Sequence, residues 1–237
     1  ELIKRPVIYD DNCHVNNGQT VSPECSYGDR GAKKKIVLFG DSHAAQWFPA
    51  LERLANENNF ELISLTKSAC PGPAVEKVDS GEYKNADCFA WRDNSLERIA
   101  KLKPYAVIFS GFQHFQVPAG YSSRREWWQA GQKQTLNSLR GNATHIVYIT
   151  DTPHPQQDIP ACLAGGVISD CDDSERSEAI SIPGLKAVNP TPWLCTDKCS
   201  SVINEQVAYR DGSHISIAMS ESLAQPLGSA LKRLGVL

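Results

Sequence analysis

The chain has 237 residues and a formal net charge of −3, enough length for one sizeable domain with an appendage. Its mild acidity argues against nucleic acid as a partner, because phosphate binding needs a basic field. No apolar stretch approaches the about 20 residues that cross a bilayer. Since the chain has no initiator Met and no signal peptide, we expect it to be a processed piece of a longer protein.

Eight cysteines fall into four close pairs along the chain. An even number in locally closed loops predicts disulfides and an oxidising compartment. The sequence does not fix the connectivity, and our prediction is pairing in chain order: Cys13–Cys25, Cys70–Cys88, Cys162–Cys171 and Cys195–Cys199. Reduced core thiols and a zinc site built from the last four cysteines are the alternatives. The zinc site lacks both the two-residue spacing of zinc knuckles and a nearby His, so we predict no metal.

The chain begins with a polar stretch, residues 1–32, that has no helical period. It carries a turn signal at Asn16-Asn17-Gly18. We interpret it as an irregular arm that the Cys13–Cys25 disulfide closes. The arm is expected to pack on a domain formed by residues 33–237.

The first buried element is the apolar run Ile36-Val37-Leu38-Phe39, which ends at Gly40. This pattern predicts a strand over 36–41 and a helix behind it, with Pro49 kinking the first turns of the helix. Ser42 would then stand at the carboxyl end of a strand and the amino end of a helix. Backbone N–H groups and the helix dipole can stabilise an oxyanion at such a position.

Strands and helices alternate along most of the remaining chain. The predicted strands lie at 61–66, 105–110 and 144–150, and the predicted helices at 90–102, 123–140 and 216–234. This alternation predicts a mostly parallel sheet with helices on both faces. From 151 to 189 the pattern fails, and we expect a long irregular excursion with a short helix near 174–179. A short strand near Trp193-Leu194 is expected to close the sheet, before a hairpin at 202–209.

Ser42 needs a base, because a neutral serine is a weak nucleophile. The best-placed histidine is His214, and Asp211 precedes it by three residues, so a tight turn can put both side chains on one side. Asp211 would hold the imidazole through Nδ1 and leave Nε2 for Ser42. The spacing alone fits equally well an Asp211 that caps the final helix and a His214 at the surface.

Two blocks, Gly40-Asp41-Ser42-His43 and Asp211-Gly212-Ser213-His214, resemble the first and last blocks of the SGNH (GDSL) hydrolase superfamily. The chain is most similar to one branch, the extracytoplasmic SGNH domain at the carboxyl end of acyltransferase-3 membrane proteins. The matching features are Gly-Asp-Ser-His-Ala at 40–44, a Cys-Pro loop at 70–71 and Leu-Cys…Cys…Tyr-Arg-Asp-x-x-His-Ile-Ser at 194–216. The resemblance covers about residues 36 to 234. It implies a three-layer, flavodoxin-like α/β fold with a mostly parallel sheet and disulfide-stapled loops.

By that resemblance, Ser42 attacks an acyl ester, His214 is general base and then acid, and Asp211 orients His214. The family takes its oxyanion donors from the serine N–H, a glycine N–H after the second strand and an asparagine after the third. This chain departs at the last two, because Gln113 stands where the asparagine is expected and Ser68 or Ala69 has to offer the backbone N–H. The loss of one donor lowers a rate by roughly 10²–10³. An ordinary loop amide remains the alternative for Gln113.

Three further side chains are candidates for contact with substrate. His43 follows the nucleophile, and local packing or capping is its alternative role. His114 lies beside the expected site. Trp127 and Trp128 are adjacent on a predicted helix, so at most one is expected to face the core. Trp127 could then stack on a sugar ring, with a half-buried surface tryptophan as the alternative.

The resemblance implies an O-acyltransferase, in the first place an O-acetyltransferase, that uses Ser42 to acylate a hydroxyl of a cell-surface or cell-wall carbohydrate such as lipopolysaccharide. A fused acyltransferase-3 membrane domain would deliver the acyl group and tether this extracytoplasmic domain to the cytoplasmic membrane. No cofactor is expected. A carbohydrate O-acetyl esterase is the first alternative, because it shares the acyl-serine intermediate. A non-catalytic carbohydrate-binding module on the same fold is the second.

Overall fold

A computed structural model of the protein describes residues 3–172 and 174–237, so the first two residues of the predicted arm lie outside it. Within that part of the chain the strands are β1 His14–Val15, β2 Ser26–Gly28, β3 Lys35–Gly40, β4 Glu61–Lys67, β5 Ala106–Ser110, β6 His145–Ile149, β7 Lys186–Val188, β8 Val202–Ile203 and β9 Gln206–Val207. The α-helices are α1 Val7–Asp10, α2 Ser42–Ala45, α3 Phe48–Asn58, α4 Asn85–Leu102, α5 Arg124–Leu139, α6 Ile159–Gly165, α7 Thr191–Leu194, α8 Ile217–Ser222 and α9 Ala224–Arg233. A 3₁₀ turn spans Ile168–Cys171. None of these helices is both long and apolar enough to span a membrane.

The main sheet has the strand order β1-β4-β3-β5-β6-β7, with β2 also paired to β4. The pairs β3–β4, β3–β5, β5–β6 and β6–β7 are all parallel. Strand β2 runs antiparallel along the outer edge of β4, and β1 runs parallel along the same edge. The predicted mostly parallel sheet is therefore confirmed, and β3, which leads to Ser42, is a central strand of it.

Helices cover both faces of the sheet because the side chains of β3 alternate between two apolar cores. Ile36 and Leu38 belong to the core that α3, α8 and α9 cover. Val37 and Phe39 belong to the opposite core, which α4 and α5 cover. Strands that are buried on both faces read as continuous apolar runs, which is why this strand was recognisable from sequence. The result is the three-layer α/β architecture that was predicted.

A sharp step joins β3 to α2 and presents Ser42. Gly40 has φ +143°, and a Cβ there would lie 2.2 Å from the Ser110 carbonyl oxygen, so only glycine fits this position. The next residue, Asp41, caps α2 by accepting a hydrogen bond from the His43 N–H at 2.8 Å. These two residues make the chain turn at once from strand to helix.

The long helix predicted after β3 is instead two helices, α2 and α3, separated at Gln46 and Trp47. Pro49 lies at the start of α3, where its missing N–H removes no helical hydrogen bond. The proline therefore starts a new helix rather than kinking a continuous one. The final predicted helix is also divided, into α8 and α9.

Two local predictions in the second half of the chain are wrong. The short helix expected near 174–179 is absent from the described residues there, and α6 and the 3₁₀ turn lie earlier. Asp158 caps α6 by accepting from the Ala161 N–H, and the Cys162–Cys171 disulfide ties α6 to the turn. The strand expected at Trp193-Leu194 is part of α7, because Pro192 favours the first turn of a helix. Strand β7 closes the sheet instead.

The four disulfides pair in chain order as predicted: Cys13–Cys25, Cys70–Cys88, Cys162–Cys171 and Cys195–Cys199. The last four cysteines are thus joined to one another and not free as zinc ligands. The amino-terminal arm is more regular than expected, because it forms α1 and supplies β1 and β2 to the sheet edge. That docking carries the arm to the carboxyl end of β4, next to Ser42.

Candidate active site

A pocket of about 340 Å³ lies at the carboxyl end of β3. The side chains of Ser42, Asp211 and His214 all line it, although more than 160 residues of chain separate Ser42 from the other two. Its volume is in the range of small-molecule sites. The remaining lining residues are Arg5, Tyr9, His43, Ser68, Ala69, Tyr83, Phe112, Phe115, Arg210 and Ser213. The fold therefore brings the serine and the histidine–aspartate pair proposed from sequence into one pocket.

Asp211 holds His214 in one orientation through Nδ1. The Nδ1 atom lies 3.0 Å from Oδ1 and 2.9 Å from Oδ2 of Asp211. Oδ1 also accepts the backbone N–H groups of Ser213 and His214, both at 2.8 Å, so the turn itself fixes the carboxylate. A carboxylate facing Nδ1 places the imidazole proton on Nδ1 and leaves a lone pair on Nε2.

The other ring nitrogen of His214 is free to act as a base. Nε2 is buried and has no hydrogen-bond partner within 3–172 and 174–237. Burial lowers the pKa of His214 to about 4, because desolvation and the positive charge of His43 outweigh the hydrogen bond to Asp211. Burial opposes the charge on Asp211, but the bonds from His214 and Ser213 hold the pKa of that carboxyl below its usual range. At neutral pH the pair is thus a carboxylate and a neutral imidazole.

Ser42 is the first residue of α2, so its N–H is not used within the helix. The first N–H groups of a helix have no intrahelical acceptor, and the Ser42 N–H bonds to no other backbone group of the described chain. The positive end of α2 therefore lies beside the serine oxygen. Ser42 and His214 share the pocket without a hydrogen bond between them, an arrangement common in unliganded catalytic sites.

The loop after β4 offers one further backbone donor, at Ala69. The Ser68 N–H donates to the Val15 carbonyl at 2.9 Å, so it cannot serve an oxyanion. The Ala69 N–H has no backbone acceptor in the described chain, and Ala69 lines the pocket with a left-handed φ of +56°. Glycine adopts a left-handed φ at no steric cost, so this conformation fits the glycine that the family resemblance led us to expect after the second strand. Of the two residues predicted here, only Ala69 has an available N–H.

The structure does not bring Gln113 into the pocket. Its side chain is 1 % exposed, and its Nε2 donates to the Glu178 carbonyl at 3.0 Å. Its backbone N–H donates to Asp151 Oδ2 at 2.9 Å. Phe112, one residue earlier, lines the pocket, but its N–H is bound to Asp41 Oδ2 at 2.9 Å. The loop after β5 thus packs against buried carboxylates instead of presenting an amide to substrate.

A second histidine–aspartate pair lies directly behind Ser42. The Nδ1 of His43 lies 2.7 Å from Asp151 Oδ1, and the two side chains are almost completely buried. Burial disfavours a charged His43, but the Asp151 and Asp41 carboxylates raise its pKa above the usual value. The His43 ring lies 4.7 Å from the His214 ring, measured between centroids. Sequence analysis missed Asp151, although its place at the carboxyl end of β6 is where sites of parallel sheets form.

The three predicted substrate contacts have different surroundings. His43 lines the pocket, but only 2 % of it is exposed. His114 is not among the lining residues, and its Nε2 bonds to Ser177 Oγ at 2.9 Å. The expected contact from Trp127 is wrong, because its ring is fully buried and its Nε1 donates to the Glu76 carbonyl at 2.7 Å. Trp128 is equally buried and donates to Tyr148 Oη, so both indoles are core groups.

Aromatic rings on the pocket wall come from residues that sequence analysis did not single out. Phe112, Phe115 and Tyr83 line the pocket. Phe112 stands edge-on to Phe115 with ring centroids 5.0 Å apart, and Tyr83 is 37 % exposed. Exposed aromatic faces next to polar groups suit the apolar faces of sugar rings. No signal in the sequence marked these residues, since each lies in a loop without periodicity.

A serine at the end of a central strand, faced by a histidine–aspartate turn from the last loop of a parallel three-layer sheet, defines a protein of the SGNH class. The model of the SGNH domains that are fused to AT3 domains matches residues 12–228, so the chain belongs to that family. The match covers the sheet, the nucleophile step and the His214 turn. The proposed resemblance is confirmed.

The chain is similar to several solved structures. The periplasmic domain of a lipopolysaccharide acetyltransferase from Salmonella ser. Paratyphi A is similar with a TM-score of 0.69 and 15% identity, over 86% of this chain and 85% of that chain. A GDSL-like lipase from Bacteroides thetaiotaomicron has a TM-score of 0.46 and 11% identity, over 85% and 89% of the two chains. No curated protein matches the chain. At 15% identity the likeness to the Salmonella domain concerns the fold alone.

Proposed function

We propose that the protein is a serine-dependent O-acyltransferase, in the first place an O-acetyltransferase, that acylates a hydroxyl of a cell-surface carbohydrate. Membership of the AT3-fused family supports acyl chemistry and a membrane partner that delivers the acyl group. The similar Salmonella domain, described as periplasmic and as part of a lipopolysaccharide acetyltransferase, supports the substrate class. Four disulfides fit an extracytoplasmic, oxidising compartment. The chain would be tethered to the cytoplasmic membrane through that partner.

One observation carries the proposal: the unpartnered Nε2 of His214 in the pocket that Ser42 lines. A buried polar atom without a partner is energetically unfavourable, and a catalytic role is one reason for a protein to retain it. The carboxylate of Asp211 fixes the tautomer that makes this atom an acceptor. A hydroxyl such as that of Ser42 is the donor that would complete the set.

The reaction proceeds in two halves through an ester on Ser42. Ser42 Oγ attacks the acyl carbonyl while its proton moves to His214 Nε2, and the protonated imidazole then gives that proton to the departing oxygen. In the second half, His214 takes the proton of a sugar hydroxyl, whose oxygen attacks the acyl-serine carbonyl. The bond between the carbonyl carbon and Ser42 Oγ then breaks, and the protonated imidazole returns its proton to Ser42 Oγ. The Ser42 and Ala69 N–H groups stabilise the negative oxygen in both halves.

A carbohydrate O-acetyl esterase is the second candidate, because water can resolve the same acyl-serine ester. The aromatic wall formed by Phe112, Phe115 and Tyr83 favours a sugar in the pocket under either reaction. A carbohydrate-binding module without chemistry is disfavoured, since binding alone gives no reason for Ser42 and the His214–Asp211 pair to share one pocket.

The first test measures hydrolysis of an aryl acetate by the wild type and by Ser42→Ala. We expect the variant to lose at least about 10³-fold in rate, because the nucleophile is gone. Ser138→Ala is the matched control, since Ser138 is exposed on α5 and far in sequence from the pocket residues. Equal rates in the wild type and Ser42→Ala would refute the serine mechanism.

The second test separates the transferase from the esterase. Aryl acetate and a sugar acceptor are supplied together, and the products are analysed by mass spectrometry. Acetylated sugar that depends on Ser42 identifies a transferase. Free acetate as the sole product, at a rate unaffected by the sugar, identifies an esterase.

A further inference from the structure

Two arginines and a tyrosine form one side of the pocket and take no part in the proposed chemistry. Arg5 and Tyr9 belong to the amino-terminal arm, whereas Arg210 directly precedes the Asp211 turn. The guanidinium carbon of Arg5 lies 4.8 Å from the Tyr9 ring centroid, and that of Arg210 lies 5.6 Å from it. The Tyr9 ring thus holds two cations beside the same pocket.

Arg210 is a buried cation whose donors are not all satisfied. It is only 4 % exposed, and its Nε has no hydrogen-bond partner in the described structure. Its one ion pair there joins Nε to Asp211 Oδ2 at 3.8 Å, which is beyond hydrogen-bond distance. Both oxygens of Asp211 are already within bonding distance of His214. A buried guanidinium without a matched carboxylate is unfavourable, so the site favours an anion from outside the chain.

Arg5 adds a second positive charge at the pocket rim. Its side chain is exposed, and it forms no ion pair with any residue that the structure describes. Asp211 is the one carboxylate among the lining residues, and it serves His214. A chain with a net charge of −3 therefore places two arginines next to Ser42, of which, among the described residues, Arg5 forms no ion pair and Arg210 forms a long one.

We propose that Arg5, Tyr9 and Arg210 form a subsite for an anionic group, a carboxylate or a phosphate ester, carried by the sugar acceptor. The planar guanidinium donors match the paired oxygens of both anions, and the Tyr9 ring keeps the two cations in place. The acceptor hydroxyl would then reach Ser42 while the anion of the same sugar lies against the arginines. This inference rests on the proposed function, because it specifies the acceptor as an acidic sugar.

Binding of small sugars tests the subsite without catalysis. Three probes are titrated by NMR into the Ser42→Ala protein: methyl glucuronoside, its neutral methyl ester and glucose 6-phosphate. We expect the glucuronoside or the phosphate to bind at least about tenfold more tightly than the neutral ester, since charge-assisted hydrogen bonds are the stronger ones. Added salt should weaken that preference. Whichever of the two anionic sugars binds more tightly identifies the class of acceptor, a uronic acid or a phosphorylated sugar.

Substitution of each arginine tests whether Arg5 and Arg210 cause the preference for charged over neutral sugars. Arg5→Gln and Arg210→Gln, made in the Ser42→Ala protein, should each reduce the charged-over-neutral preference by about tenfold. Arg53→Gln is the matched control, because Arg53 is an exposed arginine on α3 that pairs with Glu57. Arg5 is exposed, so its variant stays informative even if the buried Arg210 is needed for folding.

Equal affinity for charged and neutral sugars, no binding of either anion, or an unchanged preference in Arg5→Gln would overturn the subsite. The aryl acetate assay uses no charged acceptor, so its result is separate. Serine-dependent hydrolysis with no charge preference would refute the subsite alone, whereas serine-independent hydrolysis would refute the proposed function.

Discussion

The protein contains two histidine–aspartate pairs whose imidazole rings lie next to each other. The environments of the two pairs give them opposite properties. His214–Asp211 lies at the pocket, where the Asp211 side chain is 38% exposed. His43–Asp151 lies behind Ser42, where the Asp151 side chain is 0% exposed. The pKa of His214 is lowered by burial to about 4, whereas carboxylates raise the pKa of His43 despite its burial. The first pair is set to accept a proton and the second to keep one.

The difference arises from what else each carboxylate binds. Asp211 faces one imidazole and two N–H groups of its own turn. Asp151 accepts from His43 and also from the backbone N–H groups of Gln113 and Thr152, so it anchors the loop after β5. Under the proposed function, the same two residue types make a catalytic pair in one place and a structural pair in the other. Residue type alone does not distinguish them; the surroundings do, because burial lowers the pKa of His214 whereas the Asp151 and Asp41 carboxylates raise that of His43.

The largest expected effect is on the rate of the His214→Leu variant. Removal of the base should lower kcat/KM for an aryl acetate by about 10⁴-fold or more, because Ser42 would keep its proton. The free energy of unfolding should change by no more than about 1 kcal/mol, since Asp211 remains partly solvated. Steady-state kinetics and urea denaturation measure the two quantities. A rate within tenfold of the wild type would show that His214 is not the base.

The same substitution at the buried pair, His43→Leu, should act mainly on stability. Loss of the imidazole leaves the Asp151 carboxylate buried without its charge partner, which lowers the free energy of unfolding by about 3–5 kcal/mol. The rate per folded molecule should stay within roughly tenfold of the wild type, because His43 moves no proton in the mechanism. A rate loss equal to that of His214→Leu would refute the division of roles.

The pH profile provides the next comparison. Catalysis requires neutral His214, so the rate should fall as the pH drops through the His214 pKa of about 4, rather than near the usual 6.5. The positive charge of His43 contributes to that lowering, so the acidic limb of His43→Gln should move to higher pH. The kcat/KM of both proteins, measured from pH 3 to pH 8 where they remain folded, tests this. If kcat/KM of His43→Gln falls at the same acidic pH as that of the wild type, the charge of His43 does not influence the pKa of His214.

The smallest effect on rate is expected for Gln113→Ala. The Gln113 amide donates to Glu178 and not into the pocket, so kcat/KM should change by less than about threefold, whereas loss of an oxyanion donor lowers it by roughly 10²–10³. The lost buried hydrogen bond should lower the free energy of unfolding by about 1 kcal/mol. Gln129→Ala is the matched control for stability, because the Gln129 amide also donates to a backbone carbonyl, that of Ser181. A hundredfold rate loss in Gln113→Ala would restore the oxyanion role predicted from sequence.

Much of the fold was predictable because its signals are local. The buried strands read as apolar runs that end at glycine or polar residues, as in 36–41. The closing strand β7 was missed because Lys186–Val188 is short and carries two exposed residues. The strand prediction near Trp193-Leu194 was wrong because the apolar pair outweighed the helix-start signal of Pro192.

The site was predictable where a motif keeps its residues together, as in the Asp211–His214 turn. The partner of His43 was not, because Asp151 is 108 residues away and meets it through the sheet alone. Arg5 and Tyr9 were missed for a similar reason, since the docking of the arm decides where they lie. The error at Trp127 has a different cause. Both tryptophans are buried because they pack with Val75 and Ile180 and because each indole N–H has a hydrogen-bond acceptor.

The central claim, that Ser42 carries the acyl group, is tested most directly by mass spectrometry of the protein quenched during turnover of an aryl acetate. The account predicts one acetyl group per chain, located on Ser42 by peptide mapping, that disappears when a sugar acceptor is added. Ser42→Ala should carry none. Turnover without an acyl-protein, or an acetyl group on another residue with the same kinetics in Ser42→Ala, would contradict it.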